Sequence, residues 1–234
     1  MRSIRRATAL GTAIGLVLLV GVPLTSSTSD ARTNATSVTI NLRAPRQVMQ
    51  GFGSTVRVWS DPHLSRSPQT IVPAAAQAQI LTAVYRRLGL TRSRQFLDPG
   101  IAPGPAGPYN FSAPPKLGAD QVAYVKQARV YGLTTFFPAP VYLEDWMKPD
   151  DPASYVTYAM TILRYWRSQG LKVPFFSPIN EPQVSHDFPP QWMHDVVLML
   201  GRQLRAAGFR TKLVVPDDEN PIDAYPRAEA VLGD

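Results

Sequence analysis

The chain has 234 residues and a formal net charge of +7, with 24 basic residues, 17 acidic residues and no cysteine. The lack of cysteine excludes disulfide bridges, thiolate metal sites and lipid attachment through cysteine, so the stability of the fold must come from a packed core. The arginines are scattered along predicted helices without clustered aromatic residues, a distribution typical of solvated helix faces, and we expect no nucleic-acid partner.

The first 31 residues have the layout of a secretory signal peptide. Residues 1–6 contain three arginines, residues 7–22 are almost entirely small or apolar, and residues 25–31 are small and mostly polar. This order predicts a signal peptide over residues 1–31, cleaved before Arg32, and a secreted, extracellular protein. The apolar segment is short and interrupted by glycine, so we expect no stable membrane insertion after signal removal, with a retained anchor as the alternative.

The next segment contains one predicted strand and a glycine-rich motif. Residues 37–42 alternate apolar with polar side chains, which is the pattern of a half-buried strand. The glycines of residues 50–53 (Gln-Gly-Phe-Gly) indicate a strand end where the backbone passes close to another part of the protein. The stretch from residue 54 to residue 73 is predicted to be irregular.

From residue 74 onward, segments with helical periodicity alternate with short apolar runs. The pattern predicts helices over residues 74–88, 120–131, 154–169 and 191–207 and after Pro221, and strands over residues 90–96, 133–137, 173–176 and 211–215. Strands and helices that alternate at this spacing pair in parallel through right-handed crossovers. The fold class is therefore α/β, and about five units fit either a doubly wound sheet or a barrel.

One predicted connection stands apart from the others. Residues 98–115 are dense in proline and glycine, so they form neither a helix nor a central strand. Long loops inside compact domains are often functional, and we expect this loop to shape a binding site.

Polar and aromatic residues follow several of the predicted strands. In a barrel these strand ends share one face, so Arg94, Trp146, Asn180 and Glu181 would converge there with residues 217–220. A carboxylic acid can protonate a glycosidic oxygen, an amide can bind a sugar hydroxyl, and an indole ring can stack on a sugar. The chemistry of glycoside cleavage therefore fits this set.

Each of these residues also has a structural interpretation that the sequence leaves open. Glu181 is otherwise an ordinary loop carboxylate, Trp146 a rim residue packed on the barrel, and Arg94 a structural ion-pair partner. No metal site and no cofactor are expected, because the histidines form no zinc pattern and no glycine-rich phosphate loop follows a strand.

Three motifs in order resemble the clan A glycoside hydrolases, and most of all glycoside hydrolase family 30. They are the Gln-Gly-Phe-Gly motif at residues 50–53, Trp-Met-Lys at 146–148 and Ser-Pro-Ile-Asn-Glu-Pro-Gln at 177–183. The resemblance covers most of residues 38–220. It implies a (β/α)8 TIM barrel, of which residues 48–234 form an incomplete N-terminal portion, and an accessory β-sandwich that includes a strand at residues 38–47.

The resemblance also implies a mechanism and roles for the site residues. It implies a retaining hydrolase acting on an oligosaccharide or polysaccharide with β-linkages, with Glu181 as the general acid/base. It implies that Asn180 binds the sugar 2-hydroxyl and that Arg94 lies beside the nucleophile, while Trp146 is a substrate-binding candidate.

The second carboxylate of that mechanism has no counterpart in the predicted elements. The family places its nucleophilic glutamate after the seventh strand, so we expect this residue beyond the C-terminal end of the chain and expect the chain to be inactive alone. Glu144 and Glu219 lie in acidic loop clusters, at residues 144–145 and 217–219, that are predicted to face solvent. The alternative function is a non-catalytic carbohydrate-binding fragment or pseudoenzyme.

Overall fold

Helices alternate with parallel strands throughout the part of the chain that the structure describes. The structure is a computed structural model, and it describes residues 48–56, 59, 72–97, 99–112, 117–182 and 188–233. In chain order the elements are β1 (Gly53–Val56), α1 (Ala74–Leu81), β2 (Arg92–Leu97), α2 (Leu117–Tyr131), β3 (Thr135–Pro140), α3 (Pro152–Ser168), β4 (Phe175–Phe176), α4 (Pro190–Ala206), β5 (Lys212–Leu213) and α5 (Pro221–Leu232). The predicted signal peptide and the predicted strand at residues 38–47 lie outside these residues.

The predicted helices and strands from residue 74 onward are confirmed, with shifts of a few residues at their ends. Helix α1 continues directly into a π-helical segment, Thr82–Arg87. Helix α3 begins at Pro152 because the Asp151 side chain accepts a hydrogen bond from the Ser154 backbone N–H at 3.0 Å. Local periodicity was sufficient to find these elements.

The prediction that residues 54–73 are irregular was wrong at its first residues, because β1 covers Gly53–Val56. Gly53, Ser54 and Thr55 are exposed, so this strand carries no alternating apolar signal. It is defined by its parallel pairing with β2, in which Gly53 lies opposite Arg92. A Cβ atom on Gly53 would lie only 2.7 Å from the Arg92 carbonyl oxygen, which confirms the close backbone approach predicted for these glycines.

The strands follow one another in chain order. Strands β1, β2 and β3 form a parallel sheet in which Arg92 lies opposite Thr135, and β4 pairs in parallel with β5. The segment after β4 also bonds to β3, since the Ser177 N–H donates to the Pro138 carbonyl at 3.1 Å and the Asn180 N–H to the Pro140 carbonyl at 2.8 Å. Sequential parallel order is the arrangement of a (β/α)8 barrel, and the described elements match part of one.

Helix α3 contributes eight buried residues to the hydrophobic core and packs against both β3 and α4. Its buried residues are Tyr155, Val156, Tyr158, Ala159, Met160, Ile162, Leu163 and Trp166. Trp166 stacks on Phe136 of β3 at 5.4 Å between ring centroids, and Tyr155 meets Trp192 of α4 edge to face at 5.1 Å. Among the described residues, no helix has the length and apolarity needed to cross a membrane. The packing of α3 supports the strand ends, where Asn180 and Glu181 lie.

Candidate active site

Arg94 lies on β2 and turns away from the buried side of that strand. Ser93, Gln95 and Leu97 are buried, whereas Arg94 and its alternate neighbours are half-buried. The Arg94 guanidinium lies 4.9 Å from the ring centroid of Phe96 and 5.8 Å from that of Phe137, so two aromatic rings contact it. Arg94 is the third residue of β2, and these contacts help to position its guanidinium.

Asn180 and Glu181 follow β4 at the same face. Asn180 is 3% exposed, and its backbone N–H is held by the Pro140 carbonyl of β3. Glu181 is half-buried and has a φ angle of 48°, in the left-handed region that non-glycine residues rarely adopt. Its backbone N–H donates to the Asp217 carbonyl at 2.7 Å, and this bond ties the exit of β4 to the exit of β5.

The Arg94 side chain connects β2 to the exits of β4 and β5. Its Nη2 group donates to the Asn180 Oδ1 atom and also pairs with the Asp217 carboxylate. The Arg94 and Asp217 side chains are 17% and 18% exposed, so this ion pair is largely shielded from water. The structure therefore brings Arg94, Asn180 and Glu181 together, with Asp217 as a fourth member.

The Asp217 carboxyl has a perturbed proton affinity. Burial raises the pKa of Asp217 above its ordinary value, and the nearby negative charge of Glu181 acts in the same direction. The positive charge of Arg94, and hydrogen bonds from the Ser177 hydroxyl and from Arg94, oppose that rise without cancelling it. Asp217 is thus electrostatically coupled to Arg94, Ser177 and Glu181.

The prediction that residues 217–219 face solvent was wrong for the two aspartates. The Asp218 side chain is 0% exposed and forms an ion pair with Arg227 of α5, at 3.1 Å between Oδ1 and Nε. Glu219 is exposed, as predicted. Asp217 was missed as an individual site residue, although its position directly after a strand is the same signal that identified Asn180 and Glu181.

The prediction that Glu144 faces solvent was also wrong. Glu144 is 5% exposed, and its carboxylate accepts hydrogen bonds from the backbone N–H groups of Gly100 at 2.7 Å, Ile101 at 2.9 Å and Ala102 at 3.3 Å. These donors come from the long loop after β2, so their approach is invisible in the local sequence. Glu144 binds that loop to the exit of β3.

Trp146 contacts the same loop as Glu144. Its Nε1–H donates to the Ala102 carbonyl at 2.9 Å, and its ring meets Tyr158 of α3 edge to face at 6.2 Å. The hydrogen bond and the ring contact run to the loop and to α3 and not to the Arg94 cluster. They are the contacts of a rim residue, and the role of Trp146 in sugar binding stays a prediction.

Metal binding has no support within the described ranges. Among those residues, no group of three or more His, Asp and Glu side chains is arranged to hold a metal ion. The ring of His194 instead bonds through Nδ1 to the Val231 carbonyl at 2.7 Å, which joins α4 to α5.

The described elements match part of an α/β barrel, and solved structures share this fold. The chain is similar to an endo-β1,6-glucanase, with a TM-score of 0.61, 20% identity, and coverage of 83% of this chain and 52% of that chain. It is similar to a family 30 endoxylanase from Clostridium papyrosolvens, with a TM-score of 0.57, 18% identity, and coverage of 80% and 46%.

A third neighbour is a glycoside hydrolase family 30 subfamily 8 xylanase from Clostridium acetobutylicum, with a TM-score of 0.57, 20% identity, and coverage of 82% and 50%. The chain therefore spans about half the length of the solved structures it matches. No protein-family model matches the chain, and no curated protein does. The resemblance to family 30 is confirmed at the level of the fold, and an accessory β-sandwich is absent from the described residues.

Proposed function

We propose that residues 48–234 form the N-terminal portion of the catalytic barrel of a secreted, retaining β-glycoside hydrolase, with Glu181 as general acid/base. One observation carries the proposal: Glu181 and Asn180 leave β4 at the strand-end face, where Arg94 and Asp217 hold them. This face is where enzymes with this fold perform their chemistry. The fold shared with family 30 structures supports the same assignment.

The proposed chemistry has two steps. In the first, the Glu181 carboxylic acid donates its proton to the glycosidic oxygen while the bond from that oxygen to C1 breaks and a second carboxylate bonds to C1. In the second, the Glu181 carboxylate takes a proton from water, and the water oxygen displaces the second carboxylate from C1. Asn180 binds the sugar 2-hydroxyl, and Arg94 stabilises negative charge beside C1.

The proposed mechanism also requires a second carboxylate, which acts as the nucleophile. A retaining enzyme needs two carboxyl groups about 5 Å apart on opposite sides of the bond. Among the described residues, Asp217 is engaged by Arg94 and Glu144 by three backbone N–H groups, so neither is suited to attack C1. We assign the nucleophile to a residue outside the described elements.

The proposed substrate is a β-linked oligosaccharide or polysaccharide outside the cell. The neighbouring structures are a β1,6-glucanase and xylanases, and the N-terminal 31 residues have the sequence pattern of an export signal. The proposal requires neither metal nor cofactor, because proton transfer and carboxylate attack are sufficient for this reaction.

The proposal is tested by supplying the missing nucleophile. The 234-residue chain is incubated with an unactivated aryl β-glycoside, with and without sodium azide, and phenol release is measured. We expect release only with azide, which bonds to C1 as the phenol leaves with the proton of Glu181. The Glu181→Gln variant should lose at least about 100-fold of this rate, whereas Glu219→Gln, which changes an exposed neighbour, should not.

Two results would contradict the assignment of Glu181: no phenol release in the presence of azide, and azide-dependent release that Glu181→Gln leaves unchanged. Phenol release without azide would instead contradict the assignment of the nucleophile to a residue outside the described elements. Saccharide binding by calorimetry, without any release and insensitive to Glu181→Gln, would instead identify a non-catalytic carbohydrate-binding protein.

A further inference from the structure

Asp217 is connected to both Glu181 and Asn180. Its backbone carbonyl accepts the N–H of Glu181, and its carboxylate binds Arg94, which donates to Asn180. We propose that Asp217 is a positioning residue that fixes the Asn180 side-chain amide and the Glu181 backbone in the orientation that sugar cleavage requires. This inference rests on the proposed function of Asn180 and Glu181, and it adds a residue that the sequence did not single out.

The first connection runs through side chains. The Asp217 carboxylate holds the Arg94 guanidinium, which in turn donates to the Oδ1 atom of Asn180. An amide whose oxygen accepts from a guanidinium is fixed in one of its two flipped orientations, with its nitrogen directed away from the arginine. The orientation of Asn180 therefore depends on where Asp217 holds Arg94.

The second connection runs through the backbone. The Asp217 carbonyl accepts the N–H of Glu181, whose φ of 48° is unfavourable for a residue with a side chain. Such a conformation persists only when surrounding contacts enforce it. The bond to Asp217 is one of these contacts, so β5 helps to hold the proposed acid/base at the exit of β4.

Charge balance explains why an aspartate suits this position. Arg94 is only 17% exposed and lies against Phe96 and Phe137, so its charge needs a nearby anion. If Asp217 did not supply that anion, the guanidinium would be drawn toward the other carboxylate of the cluster, Glu181. The ion pair with Asp217 keeps Arg94 on Asn180 and leaves Glu181 available for proton transfer.

The test follows the Asn180 side-chain amide by ¹⁵N-edited NMR of the 234-residue chain. The amide signals are identified by their loss in Asn180→Asp, and the Asp217 carboxyl carbon is followed in the same samples over roughly pH 3 to 8. The groups that face Asp217 are Arg94, Ser177 and Glu181. We expect the Asn180 amide to shift with the midpoint of Asp217, both in the wild type and in Glu181→Gln.

Two variants complete the test. Asp217→Asn should abolish the pH-dependent shift of the Asn180 amide, whereas Glu219→Gln, a charge removal at an exposed site in the same loop, should leave it unchanged. The inference is overturned if the shift disappears in Glu181→Gln, or if the Asn180 amide does not follow Asp217 at all. If Asp217→Asn does not fold, the Asn180 amide shifts of the wild type and of Glu181→Gln are sufficient to decide whether Asp217 positions Asn180.

Failure of this inference differs from failure of the proposed function. The amide measurement needs no saccharide, so a chain without glycosidase chemistry would still show the coupled shift. Conversely, a chain with azide-dependent cleavage but an independent Asn180 amide would keep the proposed function and lose the positioning role of Asp217.

Discussion

Glu181 combines a strained backbone conformation with a proposed chemical role. Its left-handed backbone conformation, with φ at 48°, turns the side chain out of the strand direction at the exit of β4. Positive φ costs a residue with a Cβ atom about 1–2 kcal/mol, whereas glycine adopts it freely. Strain of this kind is common at functional sites, where surrounding contacts hold it.

The strain at Glu181 predicts that Glu181→Gly will increase stability while it removes the proposed acid/base. Relief of the strain exceeds the entropic cost of glycine, so we expect the free energy of unfolding to rise by up to about 1 kcal/mol. Urea unfolding measures the change. The control Glu219→Gly, at an exposed residue without positive φ, should lower it by about 0.5–1 kcal/mol, and an equal loss at Glu181 would refute the argument.

Asp217 and Asp151 are predicted to have opposite effects on the pH dependence of stability. Burial raises the pKa of Asp217 in the folded state, so its favourable contribution is present below the pKa of the unfolded chain and is lost as the pH rises through the raised value. Hydrogen bonds from Ser154 lower the pKa of Asp151, so its contribution is present above the unfolded pKa and is lost as the pH falls.

Urea unfolding of the wild type, Asp217→Asn and Asp151→Asn at a series of pH values tests both directions. Relative to Asp217→Asn, the wild type should lose stability as the pH rises from about 4. Relative to Asp151→Asn, it should gain stability as the pH rises toward about 4 and change little above that pH. Parallel curves for the wild type and Asp217→Asn would show that burial does not perturb Asp217.

At the scale of elements, the long loop after β2 is held by the exit of β3. Glu144 accepts three backbone N–H groups from residues 100–102, and Trp146 donates to the Ala102 carbonyl. Farther along the loop, Phe111 stacks on Tyr165 of α3 with ring centroids 3.8 Å apart. A segment rich in proline and glycine is thereby ordered by groups outside itself.

This arrangement predicts that Glu144→Gln will loosen the loop. Glutamine keeps the size of the side chain but replaces charge-assisted hydrogen bonds by weaker neutral ones and presents one acceptor oxygen in place of two. We expect a loss of about 1–3 kcal/mol in the free energy of unfolding, with faster amide exchange at Ile101 and Ala102. Asp145→Asn, at the exposed neighbouring residue, serves as the control and should change neither quantity.

At the scale of the whole molecule, burial is uneven along the described chain. Helix α3 buries eight side chains and α4 buries five, including Trp192, Val196 and Leu200, so these two helices contain much of the apolar packing. Strand β1 lies at one end of the sheet order, and residues 52–55 are exposed. Local stability should follow this distribution.

Native-state hydrogen exchange should therefore be slowest in α3 and α4 and fastest in β1. Backbone amides under a buried helix face exchange only through large openings, whereas those of an exposed strand exchange through small ones. Exchange measured residue by residue by NMR tests the order. Equally slow amide exchange in β1 and α3 would mean that other parts of the chain cover β1.

The sequence by itself determined the alternation of helices and strands, the parallel order and the position of Asn180 and Glu181 after a strand. These features depend on side-chain periodicity and on breaks such as proline and glycine, which operate over a few residues. The resemblance to family 30, carried by short motifs, predicted the barrel fold that the solved structures share.

Only the tertiary structure decided which acidic residues are buried. Glu144 accepts hydrogen bonds from donors 42 to 44 residues away, and Asp217 pairs with Arg94, which is 123 residues away. No local sequence pattern therefore distinguishes Glu144 and Asp217 from carboxylates that face solvent. Strand β1 is also defined by its partner strand and not by its own composition. Burial and pairing arise where distant segments meet, because they depend on the environment that the whole fold creates around a residue.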